Sequence, residues 1–164
     1  MIKKYYRLIL LFLMAGLILF LGSCNPARKY EKAEKDSIQS YLSSNPADTF
    51  QLKTSGLYYH DVLVGTGRTP VTGDSVNVQY TGRFLNGNVF DTNIGGADLK
   101  FAVDDGSIIS GFNEGVTYMK AGGKATFLIP SSLGYGTVGF YTIPGYTALL
   151  YDVELVKVIP GPSK

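Results

Sequence analysis

Apolar and polar residues alternate along much of the chain after residue 55, and this period of two predicts β-strands. In residues 75–84, for example, Val76, Val78 and Tyr80 fall on one face. The strands predicted in this way cover residues 57–64, 75–84, 88–92, 99–103, 124–129 and 148–158. Glycine and asparagine occupy the connections, and Leu85-Asn86-Gly87-Asn88 predicts a hairpin turn.

One segment breaks this alternation. Phe112, Val116 and Met119 recur at steps of four and three residues, which places them on one face of a short helix. An antiparallel sheet packed around such a helix belongs to the α+β class. Residues 55–164, about 110 in number, have the size expected of one domain.

The N-terminus has the pattern of an export signal. Basic residues precede an uncharged apolar run over residues 8–21, which is shorter than the roughly 20 residues that span a bilayer. Small residues then lead to Cys24, the only cysteine in the chain. This arrangement resembles a bacterial lipobox, so we expect residues 1–23 to be a lipoprotein signal peptide and Cys24 to be acylated. A plain secretory signal or an anchor helix is the alternative.

Residues 24–54 are polar and mixed in charge, and we expect them to form a lipid-anchored tether. A weak helical period through Ile38, Tyr41 and Leu42 predicts a short amphipathic helix within residues 30–43. The pattern leaves open whether this helix is free, docked on the domain or used for dimerisation. The oligomeric state is therefore not predicted.

Charge and composition argue against several classes of function. The first 23 residues carry three basic and no acidic side chains, so the rest has a net charge of −1, against +2 for the whole chain. No basic patch suits a nucleic acid. His60 is the only histidine and Cys24 is assigned to lipid, so neither a Ser-His-Asp or Cys-His hydrolase nor a His/Cys zinc site is expected. Asp104 and Asp105 lack further ligands at calcium spacing. No metal and no cofactor are predicted.

Any enzyme built on this chain must then work mainly by shape, desolvation and hydrogen bonding. Prolyl cis/trans isomerisation is such a reaction, because no bond breaks and the barrier of about 18–20 kcal/mol is amide resonance. Asp91 is a candidate residue for such a site. It follows Phe90 and shares a predicted hairpin with Tyr80, so it is either a surface residue or a charge at the mouth of an apolar pocket.

Several motifs, taken in order, resemble those of the FKBP-type peptidyl-prolyl isomerases. They are Gly65-Thr66-Gly67, VQYTGRF, NVFDT, IISGFNEGV, LIPSSLGYG, IPG and LLYDVELVKV. The match covers essentially all of residues 55–160, and the ordered set is far more specific than any one motif. The resemblance implies a strongly bent antiparallel β-sheet wrapped around one short α-helix. It also implies isomerase activity on proline-containing polypeptides and a site that can take macrolide ligands.

The resemblance also assigns a pocket residue by residue. The catalytic groups that it implies are Tyr80, Asp91, the backbone N–H of Ile109 and the hydroxyl of Tyr135. The substrate-binding residues that it implies are Phe90, Leu99, Phe101, Ile108, Phe112, Ile143 and Tyr151. Asp91 is expected to orient the site rather than to transfer a proton. Phe112 stands where many family members have tryptophan, and the loop over residues 137–147 is one residue shorter than the commonest family loop.

Two functions are compatible with these residues. The first is a peptidyl-prolyl cis-trans isomerase that assists the folding of exported proteins at a membrane surface. The second is an FKBP-fold chaperone or assembly subunit with little isomerase activity. The lipid on Cys24 would hold either protein on a bacterial cell membrane, and the outer membrane, facing the periplasm, is the expected location.

Overall fold

The structure is a computed structural model that describes residues 26–162. The predicted signal peptide and the predicted acylation site at Cys24 lie outside these residues. The chain divides into two units, residues 1–32 and residues 33–164. The sheet and the candidate site belong to the second unit. Neither helix found between residues 26 and 162 combines the length and the apolar character that crossing a bilayer demands.

The second unit is built on a seven-stranded antiparallel sheet. Its strands are β1 (Gln51–Leu52), β2 (Tyr58–Leu63), β3 (Ser75–Phe84), β4 (Val89–Thr92), β5 (Leu99–Ala102), β6 (Gly123–Ile129) and β9 (Leu149–Ile159). Their order in the sheet is β1-β2-β6-β9-β3-β4, and β5 also pairs with β3. Strands β7 (Gly139–Phe140) and β8 (Ile143–Pro144) form a separate hairpin. The predicted strands are thus present with small shifts at their ends, and the α+β class is confirmed.

The predicted turn between β3 and β4 is also present. The Phe84 N–H donates to the Asn88 carbonyl and the Gly87 N–H donates to the Phe84 carbonyl, both at 2.9 Å. Gly87 has a φ of 89°, a conformation that glycine adopts without steric cost. The turn is followed by the pair Arg83 and Val89, and a shift in register beyond it then places Asp91 opposite Gly82.

Helix α2 (Ser110–Thr117) packs on the sheet with Phe112 and Val116 buried in the main hydrophobic cluster. Its close approach depends on Gly115, where a Cβ atom would lie 2.7 Å from the ring of Phe127. A larger residue at this position would push the helix, and Phe112 with it, away from strand β6.

The predicted extent of this helix was wrong at its C-terminal end. Met119 was expected on the helix, but the helix ends at Thr117. The N–H groups of Tyr118 and Met119 bond three residues back, to Gly115 and Val116, which tightens the last turn and stops the α-helical ladder. Met119 is nevertheless buried, at 2% exposure, so its apolar position in the pattern reflects the core.

Helix α1 (Pro26–Ser44) is longer than the helix predicted within residues 30–43, and its C-terminal part is docked on the sheet. From residue 33 onward, the side chains that are not fully exposed lie on one helical face; they are Glu34, Ile38, Tyr41 and Leu42. Ile38 is buried in a second hydrophobic cluster with Leu128, Ala148 and Leu150. Leu128 and Leu150 alternate along β6 and β9 with residues of the main cluster, so the helix packs on the opposite face of the sheet.

Candidate functional site

Strands β3 and β4 bring Tyr80 and Asp91 together. The Tyr80 hydroxyl donates a hydrogen bond of 2.5 Å to Asp91 Oδ2. Burial of the Tyr80 ring, then this hydrogen bond and the charge of Asp91, raise the pKa of Tyr80 well above its usual value. Tyr80 therefore remains a donor throughout the neutral range. Asp91 is exposed and yet bonded to a ring of the main cluster, which places it at the rim of the apolar region.

Gly82 is a site residue that the sequence analysis missed. It follows Tyr80 by two residues on β3, and a Cβ atom there would lie 2.7 Å from the Phe90 ring and 3.0 Å from the Tyr151 ring. Its missing side chain lets these two rings meet edge to face, with 5.7 Å between their centroids. The available signal was a glycine inside an otherwise regular strand, which often marks a close approach.

Phe112 lies at the centre of the aromatic cluster and is 1% exposed. Its centroid is 5.8 Å from that of Tyr80, 6.0 Å from Phe101, 5.8 Å from Phe127 and 5.1 Å from Tyr151, in edge-to-face contacts throughout. This geometry is the favourable one for aromatic rings, because a positive ring edge meets a negative face. Phe112 thus joins Tyr80 and Tyr151 to the core, and its role as the floor of a substrate pocket stays a prediction.

The structure places the predicted apolar site residues in one cluster. Its buried members include Phe101, Phe112, Ile143 and Tyr151, and those packed at its edge include Tyr80, Phe90, Leu99, Ile108, Ile109 and Tyr135. Asp91 joins them through its bond to Tyr80. The predicted residues are therefore neighbours in space, while the role of each in catalysis stays a prediction.

Tyr135 and Tyr151 lie at the same edge of the cluster as Tyr80 and Asp91. Burial first, and then the nearby Tyr135, raise the pKa of Tyr151; Tyr80 and Asp91 contribute smaller effects. The Tyr135 ring also stacks on Phe140, with 5.1 Å between centroids and 8° between planes. Phe140 lies in the β7–β8 hairpin, and nothing in the local sequence pattern marked it as a partner of Tyr135.

The backbone of Ile109 lies just before helix α2. Its carbonyl accepts from the N–H groups of Phe112 and Asn113, at 3.1 Å each. Its own N–H donates to no acceptor within residues 26–162. This N–H lies at the positive end of the helix dipole, where a carbonyl oxygen is a favourable partner.

These groups can hold an apolar ring in dry surroundings and bond peptide groups at its edge. Aromatic rings make up most of the cluster, and the polar groups at its edge are the Tyr80–Asp91 pair, the Tyr135 hydroxyl and the Ile109 N–H. Among the side chains of residues 26–162, no three His, Cys, Asp or Glu residues are grouped to hold a metal ion.

Comparison with known proteins identifies the class. The family model for the FKBP-type peptidyl-prolyl cis-trans isomerases matches residues 66–156. The chain belongs to this family. It is 35% identical to the peptidyl-prolyl cis-trans isomerase FKBP15-3 of Arabidopsis thaliana, over 80% of this chain and 95% of that one.

Bacterial relatives named FkpA are also similar. The chain is 39% identical to the probable FKBP-type isomerase FkpA of Neisseria meningitidis, over 77% of this chain and 47% of the relative. The chain thus spans about half the length of that relative. The crystal structure of FkpA from Escherichia coli is similar with a TM-score of 0.71 and 31% identity, over 92% of this chain and 73% of that one. A peptidyl-prolyl isomerase structure from Pseudomonas syringae is similar with a TM-score of 0.69 and 28% identity, over 85% of this chain and all of that one.

Proposed function

We propose that the chain is a peptidyl-prolyl cis-trans isomerase acting on proline-containing polypeptides. The observation that carries the proposal is the Tyr80–Asp91 hydrogen bond at the exposed edge of the aromatic cluster around Phe112, which we infer to be the floor of the substrate pocket. The proline ring is the apolar group that such a pocket suits. The polar groups are confined to one edge, where they can meet the peptide groups that flank the ring.

Catalysis in this site follows from desolvation and alignment. Water bonded to the imide carbonyl favours the charge-separated resonance form, so moving that carbonyl into an apolar pocket weakens the partial double bond. The Ile109 N–H and the Tyr135 hydroxyl hold the flanking peptide while the bond rotates. Asp91 fixes the direction of the Tyr80 hydroxyl. No proton has to move, because isomerisation makes and breaks no covalent bond.

The proposed setting is a bacterial membrane surface. Acylation of Cys24 would attach the protein to the membrane. The proposed location is the outer membrane, on the side that faces the periplasm, where exported polypeptides would be its clients. Replacing Cys24 by alanine should move the protein from the membrane fraction to the soluble fraction. Retention in the membrane fraction would instead support an uncleaved anchor.

An isomerisation assay tests the proposed activity directly. The full chain is solubilised in detergent and mixed with Xaa-Pro peptides of varied Xaa, and the cis-to-trans relaxation is followed without a coupling protease. We expect a rate above that of the uncatalysed reaction, which takes tens to hundreds of seconds at 25 °C. A rate equal to that of buffer with detergent would refute the proposal. A macrolide that enters the same pocket should lower the rate.

The β7–β8 hairpin favours a second function, the binding of unfolded chains. Val138 and Tyr141 are 90% and 93% exposed, and Phe140 is 52% exposed, which is unusual for large apolar residues grouped near a site. The test is aggregation of an unfolded client that contains no proline. Suppression by the chain, and its loss when Val138 and Tyr141 are both replaced by serine, would establish a binding function separate from isomerisation.

A further inference from the structure

Glu34 links helix α1 to the segment that carries Tyr135. It lies on the docked face of the helix, one turn before the buried Ile38. Glu34 Oε1 accepts from the Ser131 N–H at 2.6 Å, and Oε2 accepts from the Ser131 hydroxyl at 2.7 Å. Both hydrogen-bond donors of Ser131 therefore depend on one carboxylate that is 97 residues away in sequence.

The position of Ser131 makes this pair of bonds important for local structure. Ser131 is 6% exposed and begins a short 3-10 turn, Ser131–Leu133. The N-cap residue of the turn, Pro130, makes no side-chain hydrogen bond. Buried backbone donors are nearly always paired in folded proteins. Glu34 supplies that pairing from another element of the fold, and so fixes where the turn begins.

Ser131 in turn holds the residues on either side of Tyr135. Its carbonyl accepts from the Gly134 N–H at 2.9 Å and from the Gly136 N–H at 2.8 Å. A displacement of Ser131 would therefore displace the two glycines that flank Tyr135. The glycines themselves offer little resistance, because they lack side chains that could pack in place.

We propose that Glu34 is a positioning residue of the isomerase site, acting through Ser131 on the direction of the Tyr135 side chain. The inference rests on the proposed function of Tyr135 as a substrate-contacting residue. It assigns to helix α1, within the segment that the sequence indicates as a tether, a direct influence on catalysis. The carboxylate itself touches no substrate.

The test compares full-length variants of two acids on the same helix. Glu34→Ala should lower kcat/KM about tenfold, which is below the ~10²-fold cost of misplacing a group by 1 Å. Glu31→Ala is the matched control, because Glu31 is exposed and its loss changes the net charge equally; it should leave kcat/KM unchanged. If Glu34→Ala does not fold, Ser131→Ala is tested in its place. That variant keeps the bond from the backbone N–H to Glu34 and loses only the hydroxyl bond, so its kcat/KM should fall about threefold.

A merely structural role is separated by a double-mutant cycle. If Glu34 acts through Tyr135, the Glu34→Ala change should cost less than about twofold when Tyr135 is already phenylalanine. A full tenfold loss in that background, or no loss in the wild-type background, would overturn the proposal.

Amide hydrogen exchange supplies a readout that needs no activity. The Gly134 and Gly136 amides should exchange faster in Glu34→Ala than in Glu31→Ala at equal global stability. If the wild-type chain is inactive, the proposed function fails, and exchange still decides whether Glu34 holds the turn. Unchanged exchange at both glycines would refute the positioning role by itself.

Discussion

The Tyr80–Asp91 bond gives the sharpest quantitative prediction for the proposed reaction. Replacing Asp91 by asparagine keeps the shape of the side chain but removes the charge that orients the Tyr80 hydroxyl. Net hydrogen bonds to charged groups contribute about 1.5–3 kcal/mol. Asp91 is exposed, so solvent screening places this bond at the lower end, about 1.5 kcal/mol. Each 1.36 kcal/mol corresponds to a tenfold change in rate. We therefore expect kcat/KM to fall about tenfold.

The companion change, Tyr80→Phe, removes the other half of the same bond. If the two groups act as one unit, the double variant should be no slower than the slower single variant, since the second change removes nothing further. The assay is the protease-free isomerisation assay on a single Xaa-Pro peptide. Urea unfolding of the same samples should show a loss of less than about 1 kcal/mol for Asp91→Asn, as is usual for a surface residue.

Two results would refute this reasoning. Losses that simply multiply in the double variant would mean that Tyr80 and Asp91 act independently. Unfolding of Asp91→Asn under native conditions would mean that the acid is a structural residue, and that its place at the rim has no bearing on the reaction.

Three further predictions concern stability. Replacing Phe112 by alanine should lower the free energy of unfolding, measured by urea denaturation, by about 3–5 kcal/mol. A loss below about 1 kcal/mol would show that the surrounding aromatic rings repack to fill the space. Because the pKa of Tyr151 is raised in the folded state, its contribution to stability is fully present when the pH is below the usual tyrosine pKa and is lost as the pH rises through the pKa of the folded state. The melting temperature should therefore depend less on pH above pH 10 in Tyr151→Phe than in the wild type. An equal dependence on pH in the two proteins would contradict the burial argument. Asp74 is buried, and hydrogen bonds from the Val71 and Gly161 N–H groups, followed by Arg68, lower its pKa. Its contribution is present above about pH 4 and lost as pH falls through the folded value, so urea midpoints at pH 7 and pH 3 should differ less in Asp74→Asn.

The sequence predicted those strands whose two faces differ in environment. In β3, Val76 and Val78 face the main cluster while Asn77 and Gln79 do not, so the alternation is visible directly. In β6 and β9 the second face is covered as well. The alternating pattern predicts that Leu128 and Leu150 face away from the main cluster. Nothing in the sequence near them indicates that Ile38 packs on them.

The apolar part of the candidate site could be found by resemblance, because its residues fall within ordered motifs. The supporting residues could not. Gly82 matters because two rings from other strands need its space, and Phe140 matters because it stacks on Tyr135. Glu34 meets Ser131 across 97 residues. Contacts of this kind depend on the folded arrangement and leave no periodic trace in the chain.

The place of β9 in the sheet has a consequence for how the protein comes to fold. This strand is the last of the seven along the chain, yet it pairs along its length with both β3 and β6. Within residues 26–162 it alone joins the half of the sheet made of β1, β2 and β6 to the half made of β3, β4 and β5. Such distant pairings make folding slow. The complete sheet therefore forms late in folding, because its two halves are coupled only once β9 has been made.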